Sequence, residues 1–415
     1  MGKIPCPLPF PSKQNSTNSD EFHQIYSDSS LSSSRSSSSL YSQPSLPSIP
    51  SLTPLSTHSE LLSNAFCAST FTGLSSSVFC LSLAGKHLYT GTSNGEVLLR
   101  NQEKNHSIVV AQKQSKSSVK SIVIFGDKLF TAHQDHKIRV WKIDNHDHNQ
   151  SNYKCIATLP TLNDRCMRLF SAKNYVEIRR HKKCTWVHHV DTVSALAISS
   201  DNTLLYSASW DRTFKIWRIS DFKCLESVWN AHDDAINAIA LSKNGYVYTG
   251  SADMKIKIWK KEQGEKNVHT LISTLEKHKS SVNALALSTD GSILYSGACD
   301  RSIIVWEKDS GGDKMVVSGA LRGHTKAILC LSVVDDLVCS GSADKTVRIW
   351  MKGIGKSYSC LAVLEGHNGP VKCLTASSDN SNSNSNSDDF GCGNSYVVYS
   401  GSLDCDIKVW KIWVP

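Results

Sequence analysis

An eleven-residue pattern recurs seven times along this chain, and no other feature narrows the possible folds as far. The clearest copy is SGSADKTVRIW at 340–350. It returns as SASWDRTFKIW (207–217), TGSADMKIKIW (249–259), SGACDRSIIVW (296–306) and SGSLDCDIKVW (400–410), behind two degenerate forms, TGTSNGEVLLR (90–100) and TAHQDHKIRVW (131–141). Self-similarity at a near-constant period marks a repeat architecture, in which one supersecondary unit cannot bury its apolar face alone and stacks on its neighbours. Within each copy an Asp, or Asn94 in the first, stands six residues before a Trp, or Arg100 in the first. A Ser or Thr stands four before that Asp. The flanking residues alternate apolar and polar, which reads as strand, turn, strand with the Asp in the turn.

A further short strand lies upstream of each copy: VFCLSL (78–83), VKSIVI (119–124), VSALAI (193–198), INAIAL (236–241), VNALAL (282–287), ILCLSV (328–333) and VKCLTA (371–376). The third residue is small every time, being Cys80, Ser121, Ala195, Ala238, Ala284, Cys330 and Cys373. Small side chains at one register suggest strands crowded against their equivalents near a common axis, which assigns three cysteines to packing rather than ligation. Four residues before five of these strands stands a His, at 189, 232, 278, 324 and 367, with Gly-His pairs at 323–324 and 366–367.

These positions together resemble the WD40 family over residues 61–415, which implies an all-β fold, a seven-bladed β-propeller of four-stranded blades. Blade one departs from the pattern at Leu74, Asn94 and Arg100, and blade two at Ser115, where His is expected. The Asp that usually follows the Trp is missing throughout. The chain stops five residues after Trp410, while CASTFTGL (67–74) aligns with CLAVLEGH (360–367). By the family's habit a strand over about 67–72 therefore completes the last blade and removes an exposed edge.

Ser, His and Asp recurring in each repeat imitate a hydrolase triad. A triad is needed once, whereas this set appears in blade after blade. The resemblance implies a structural network instead, running from Trp through Ser or Thr and His to Asp. Its members are His189, Ser207, Asp211 and Trp217; His232, Thr249, Asp253 and Trp259; His278, Ser296, Asp300 and Trp306; His324, Ser340, Asp344 and Trp350; and His367, Ser400, Asp404 and Trp410. Satisfied buried networks of this kind specify geometry rather than chemistry. No phosphate-cradling loop, H-E-x-x-H helix or zinc-ligand spacing occurs, so no enzyme activity, cofactor or metal is expected. The histidines at 133, 136, 146 and 148 are read as surface residues, not a metal cluster.

Specificity is expected in an insertion. Successive Trp positions lie 42, 47 and 44 residues apart from 217 to 350, but 76 separate Trp141 from Trp217, and the excess falls at 161–188. Such outer-to-inner connections lie on the face of the Asp turns. Of the net +8, residues 1–60 carry −1 and the remainder +9, and the insertion supplies +5 of that. Arg165, Arg168, Lys173, Tyr175, Arg179, Arg180, Lys182 and Lys183 form the candidate partner-binding set, with Met167, Leu169, Phe170, Val176, Ile178 and Trp186 interleaved. Arg and aromatic side chains together are what interface hot spots favour. The bland alternative is that the apolar residues anchor the insertion and the charges are solvated. LPT (159–161), KNYVEIRRHKK (173–183) and SLPSIPSL (45–52) resemble the plant jingubang-like WD40 proteins, which implies a plant regulatory scaffold acting through protein contacts.

The expected partner is thus another protein with an acidic or phosphorylated segment. Nucleic acid, with bases stacking on Tyr175 and Trp186, and anionic phospholipid, held by RRHKK, are the alternatives. A cullin-type substrate receptor is disfavoured, because Trp210-Asp211 lies in a turn and Arg212 follows it directly.

The tail at 1–60 holds 19 serines and 8 of the 11 prolines and is expected to be disordered. It is a candidate phosphorylation platform, and QPSLPSIPSLTPL (43–55) has proline spacing suited to polyproline recognition. A polar run at 378–395 reads as a mobile loop. Fourteen cysteines without a Cys-x-x-Cys pair, and no apolar run long enough to span a bilayer, fit a monomeric propeller in the cytoplasm or nucleus.

Overall fold

In the computed structural model the repeats become seven four-stranded antiparallel sheets. It describes residues 46, 48–53, 64–101, 107–111, 117–144, 152–169, 175–179, 182–262, 268–309, 314–353, 355–379 and 394–414. The innermost strands, beginning at Val78, Val119, Val193, Ile236, Val282, Ile328 and Val371, each pack on the next, and the last packs on the first. The ring is closed, and the fold is a seven-bladed β-propeller.

Each innermost strand carries a bulge between its first and third residues, as at Val193/Ala195 and Val371/Cys373. The displaced residues are Phe79, Lys120, Ser194, Asn237, Asn283, Leu329 and Lys372. A bulge leaves its extra residue out of the ladder and re-aims the side chain. Three of them use that freedom to join blades: Ser194 Oγ donates to Ile236 O, Asn237 Nδ2 to Val282 O at 3.0 Å, and Asn283 Nδ2 to Ile328 O at 2.8 Å.

The small residues mark close approach between neighbouring blades. Cys330 Sγ lies 3.6 Å from Val371 O, and a Cβ added to Gly341 would fall 2.5 Å from that sulfur and 2.7 Å from Val371 Cγ1. At Gly401 the same addition would meet Val78 Cγ1 at 2.5 Å, where blade seven meets blade one. Burial pushes the Cys80 and Cys330 thiols up to about 12, which keeps them protonated and inert.

Each Asp turn ends in a left-handed residue: Gly95, His136, Arg212, Met254, Arg301, Lys345 and Cys405 have φ between 66° and 90°. This is the three-residue hairpin loop in which a left-handed residue follows a type I turn. In blade three the Asp211 carboxylate stabilises it, accepting from the Thr213 amide at 3.0 Å.

The strand Asn64–Phe71 pairs with Ile407–Val414 and supplies the outermost strand of blade seven. It begins three residues earlier than the 67–72 expectation. Cys67 sits opposite Trp410 as Cys360 sits opposite Trp350, so the sequence alignment and the strand register coincide.

Two expectations need correction. The tail was expected to be disordered through residue 60, but the short stretch around Leu46–Thr53 is seated on the propeller, with Leu46 and Ile49 in its core. Residues 1–45 lie outside the described residues. The polar loop is also narrower than 378–395, because the two strands pair out to Ser378 and Tyr396 and the Asp379 amide donates to Ser395 O at 2.7 Å. Residues 380–393 lie outside the described residues.

Candidate interaction surface

Blades three to seven each bring together the four side chains singled out from the sequence. In blade three Trp217 Nε1 donates to Ser207 Oγ (2.9 Å), Ser207 Oγ donates to His189 Nε2 (2.8 Å), and His189 Nδ1 donates to Asp211 Oδ2 (2.9 Å). The Val190 amide donates to the same carboxylate oxygen at 3.0 Å. The corresponding distances are 2.9, 2.8 and 2.8 Å for Trp259, Thr249, His232 and Asp253, and 2.8 Å throughout for Trp306, Ser296, His278 and Asp300. They are 2.8, 2.9 and 2.8 Å for Trp350, Ser340, His324 and Asp344, and 2.8, 2.7 and 3.0 Å for Trp410, Ser400, His367 and Asp404. All five hydroxyls are fully buried, and each already accepts from an indole and donates to an imidazole. No substrate carbonyl can reach them, so the triad chemistry the residues imitate is closed to them.

The electrostatics agree with a neutral imidazole facing an ionised carboxylate. Burial lowers the His189, His324 and His367 pKa values, against the pull of their aspartates. Burial would raise Asp253, but hydrogen bonds from His232 and from the Lys255 and Asp233 amides hold it down to about 2. Asp211 is depressed further, because His189, Lys215 and Thr213 together outweigh its desolvation.

Blade two rebuilds this network with another histidine, which corrects the reading of His133 as a surface residue. His133 is 2% exposed; Thr131 Oγ1 lies 2.8 Å from its Nε2, its Nδ1 donates to Ser117 O, and Trp141 Nε1 donates to Thr131 Oγ1 at 3.0 Å. The ring occupies the hydroxyl's partner site from the strand itself, two residues along, where other copies carry Ser, Thr or Ala. Asp135, released from a histidine, forms a two-pronged pair with Arg139 at 2.6 and 3.2 Å. Burial, reinforced by Arg139, pushes His133 down to about 4. His136 is the left-handed turn residue, while 146 and 148 lie outside the described residues.

The insertion is folded. Leu162–Leu169 is a helix, and Tyr175–Arg179 pairs with Lys182–Thr185 as a two-stranded hairpin. Thr161 Oγ1 accepts from the Asp164 amide and caps the first turn. Asp164 is buried and accepts from the Cys224 amide at 2.8 Å. Cys224 opens the outermost strand of blade three opposite Trp217, at the end remote from the Asp211 turn. The helix is therefore tied to the outer strand of blade three and does not lie wholly over the Asp-turn face as the sequence suggested; the insertion leaves blade two beside its Asp turn, after Leu159 opposite Ile138, and its exit at 186–190 returns to the turn of blade three. There Trp186 packs against the blade core, and its carbonyl accepts from Lys215 Nζ at 2.7 Å. Trp186 thus anchors the insertion. Leu162 and Met167 are 76% and 75% exposed on the helix.

Of the candidate partner-binding residues, Arg165 and Arg168 lie on the helix, and Arg165 Nε donates to Pro160 O at 3.0 Å. Tyr175, Arg179, Lys182 and Lys183 lie on the hairpin. Lys173 and Arg180 lie outside the described residues. The bulge register also reveals a pair of lysines that sequence reasoning missed: Lys120 Nζ sits 4.2 Å from the centre of the Phe79 ring, and the nearby Lys372 joins burial in lowering Lys120 to about 8. The signal was present as Lys in the second place of VKSIVI and VKCLTA.

No helix among the described residues is long and apolar enough to cross a membrane. The family described as WD domain, G-beta repeat matches residues 181–218, 222–260, 269–307, 315–351 and 358–411. Protein ROOT INITIATION DEFECTIVE 3 of Arabidopsis thaliana is 31% identical over 204 residues, which is 46% of this chain and 40% of that protein. Ribosome biogenesis protein YTM1 of Candida glabrata is 25% identical over 54% of this chain and 46% of its own length. Protein HIRA of Dictyostelium discoideum is 28% identical over 30% of this chain and 13% of its own. The chain spans less than half the length of each of these relatives. With the matched repeats and the closed ring of seven blades, the chain is a WD40-repeat β-propeller protein.

Proposed function

We propose that this protein is a non-enzymatic interaction scaffold, a plant regulatory adaptor that binds an acidic or phosphorylated protein segment through the insertion between blades two and three. The observation that carries the reading is the folded insertion helix, which is anchored by buried Asp164 yet leaves Leu162 and Met167 in solvent. A chain that positions a helix and then exposes two large apolar side chains presents a contact surface. Beside it the hairpin carries Arg179, Lys182 and Lys183, which suit charge-assisted bonds to carboxylate or phosphate. The matched relatives share the repeat fold, and their names describe root initiation and ribosome biogenesis, not a reaction. Cytoplasm and nucleus are the compartments where we expect it to act.

The test compares wild type with Arg179/Arg180/Lys182/Lys183→Glu in affinity purification with mass spectrometry, after thermal melts show both proteins folded. Selective loss of a few proteins supports the reading. An unchanged set refutes this binding face. Salt-sensitive retention on RNA, DNA or anionic vesicles by wild type alone would instead assign the face to nucleic acid or phospholipid.

A further inference from the structure

The stretch ahead of the first strand belongs to the same compact unit as the propeller, Pro44–Pro415. It crosses the outer edge of blade five. Leu46 and Ile49, 0% and 5% exposed, enter the core shared by blades four and five beside Tyr248, Trp306 and Met315. Leu52 packs at the seam of blades five and six with Leu321, Ile328 and Tyr358. Apolar side chains at every third position thus fill two inter-blade seams, while Ser48, Pro50 and Ser51 stay exposed.

The backbone is read as well. The Leu52 amide donates to Ala320 O at 3.0 Å, the Ala320 amide donates to Pro50 O at 2.9 Å, and Ser51 forms a parallel bridge with Ala320. The Tyr358 amide, at the start of the outer strand of blade six, donates to Leu52 O at 3.1 Å. Arg322 Nη2 donates to both Leu46 O and Ile49 O, at 2.6 and 2.7 Å. This is strand addition to a sheet edge, where main-chain bonds hold a peptide and alternate pockets select its side chains.

Two residues of blade five are specialised for it. Gly319 pairs with Val305, and the residues at that register in blades three, four and six are Glu226, Ser273 and Ala362. A Cβ on Gly319 would meet Leu52 Cγ at 2.5 Å and Pro50 O at 3.0 Å. Arg322 directly follows the outer strand of blade five, where the equivalent places after the outer strands of blades four and six hold Glu276 and Glu365. It is partly buried, its Nε has no hydrogen-bond partner among the described residues, and its Nη2 is committed to the two strap carbonyls.

We propose that the outer edge of blade five is a docking site for an extended Leu-x-x-Ile-Pro-x-Leu peptide, and that the strap carrying Leu46, Ile49 and Leu52 occupies it as an exchangeable ligand in cis. The occupant rests on edge-strand hydrogen bonds and three side chains, so it opens without unfolding the blades beneath it. A free copy of the same sequence competes for the site.

The test uses the full chain. A labelled peptide of residues 43–54 is titrated against wild type and against L46D/I49D, whose strap cannot re-enter the apolar seams. The expected result is at least tenfold tighter binding to L46D/I49D, with that binding lost on adding Gly319→Val. Equal binding to both proteins, binding to neither, or binding that survives Gly319→Val overturns the proposal. Should L46D/I49D fail to fold, hydrogen exchange on wild type decides the matter. The Leu52, Ala320 and Tyr358 amides exchanging together, well before the inner-strand amides of blade five, supports exchange in cis. Exchange of those three only with the inner strands shows a permanent part of the fold and overturns it.

Discussion

Blades one and three share a strand order and differ in nearly every polar group at the Asp turn. In blade three, Trp217, Ser207, His189 and Asp211 are joined end to end. In blade one the equivalent hydroxyl, Thr90 Oγ1, is buried with no hydrogen-bond partner among the described residues, and Arg100 replaces the tryptophan, its guanidinium 4.6 Å from the centre of the Phe71 ring. Its turn is held by Thr92 Oγ1 donating to Asn94 Oδ1 at 2.6 Å and by one exposed bond, Asn94 Nδ2 donating to Ser75 Oγ at 3.0 Å. Blade one nevertheless keeps its four strands and its place in the ring. Apolar packing of the strands therefore makes a blade, and the polar chain pins the turn to its neighbours.

Acid should separate the two blades most strongly. His189, His324 and His367 have lowered pKa values in the fold, so the unfolded chain binds their protons first, and stability falls as the pH drops below about 6.5. Asp211 and Asp253 are also depressed, and their contribution, full above about 4, is lost as the pH falls further toward their folded values. Thermal melts from pH 8 to pH 3 should show this two-stage decline, and hydrogen exchange should find blade three loosening before blade one. A flat profile would contradict the assigned protonation states.

Among single changes, Asp211→Ala should cost most, about 3 kcal/mol, because it strands the His189 ring N–H and the Val190 amide. Asn94→Ala in blade one should cost about 1 kcal/mol or less, as the bonds lost are those within the turn and one solvent-exposed bond to Ser75. Urea midpoints measure both. A smaller contrast comes from the hydroxyls: Ser207→Ala leaves two donors or acceptors unsatisfied and should cost about 1–3 kcal/mol, whereas Thr90→Val removes an unsatisfied one and should be neutral or stabilising. Destabilisation by Thr90→Val would mean that its hydroxyl has a partner such as an ordered water. The weakest effect is expected at the turn itself. Arg301→Gly relieves a left-handed conformation but frees the unfolded chain, and the two should offset to within about 0.5 kcal/mol in calorimetry.

The seven copies and five complete networks were legible in the sequence because they rest on residue identity at fixed spacing. His133 was not. It serves Thr131 as His189 serves Ser207, but from the hydroxyl's own strand rather than from the segment ahead of the innermost strand, so only distance in space reveals the equivalence. The insertion's charges were visible as composition, whereas its helix and the buried Asp164 that ties it to Cys224 were not, since that hydrogen bond joins residues 60 apart.

The sharpest contrast lies ahead of the first strand. A Ser/Pro-rich stretch has too little apolar surface of its own to offset the entropy of ordering it, and from composition alone disorder is the sound expectation. Leu46, Ile49 and Leu52 find that surface in seams that exist only once blades four, five and six have assembled. Sequence by itself determined the repeat, the number of blades and the side chains that pin each turn, because each depends on local period and register. Tertiary structure alone decided which histidine completes blade two, because spacing does not say which way a ring turns, and it alone decided where the insertion is tied and how the stretch ahead of the first strand is seated, because both depend on partners that folding brings close from far along the chain.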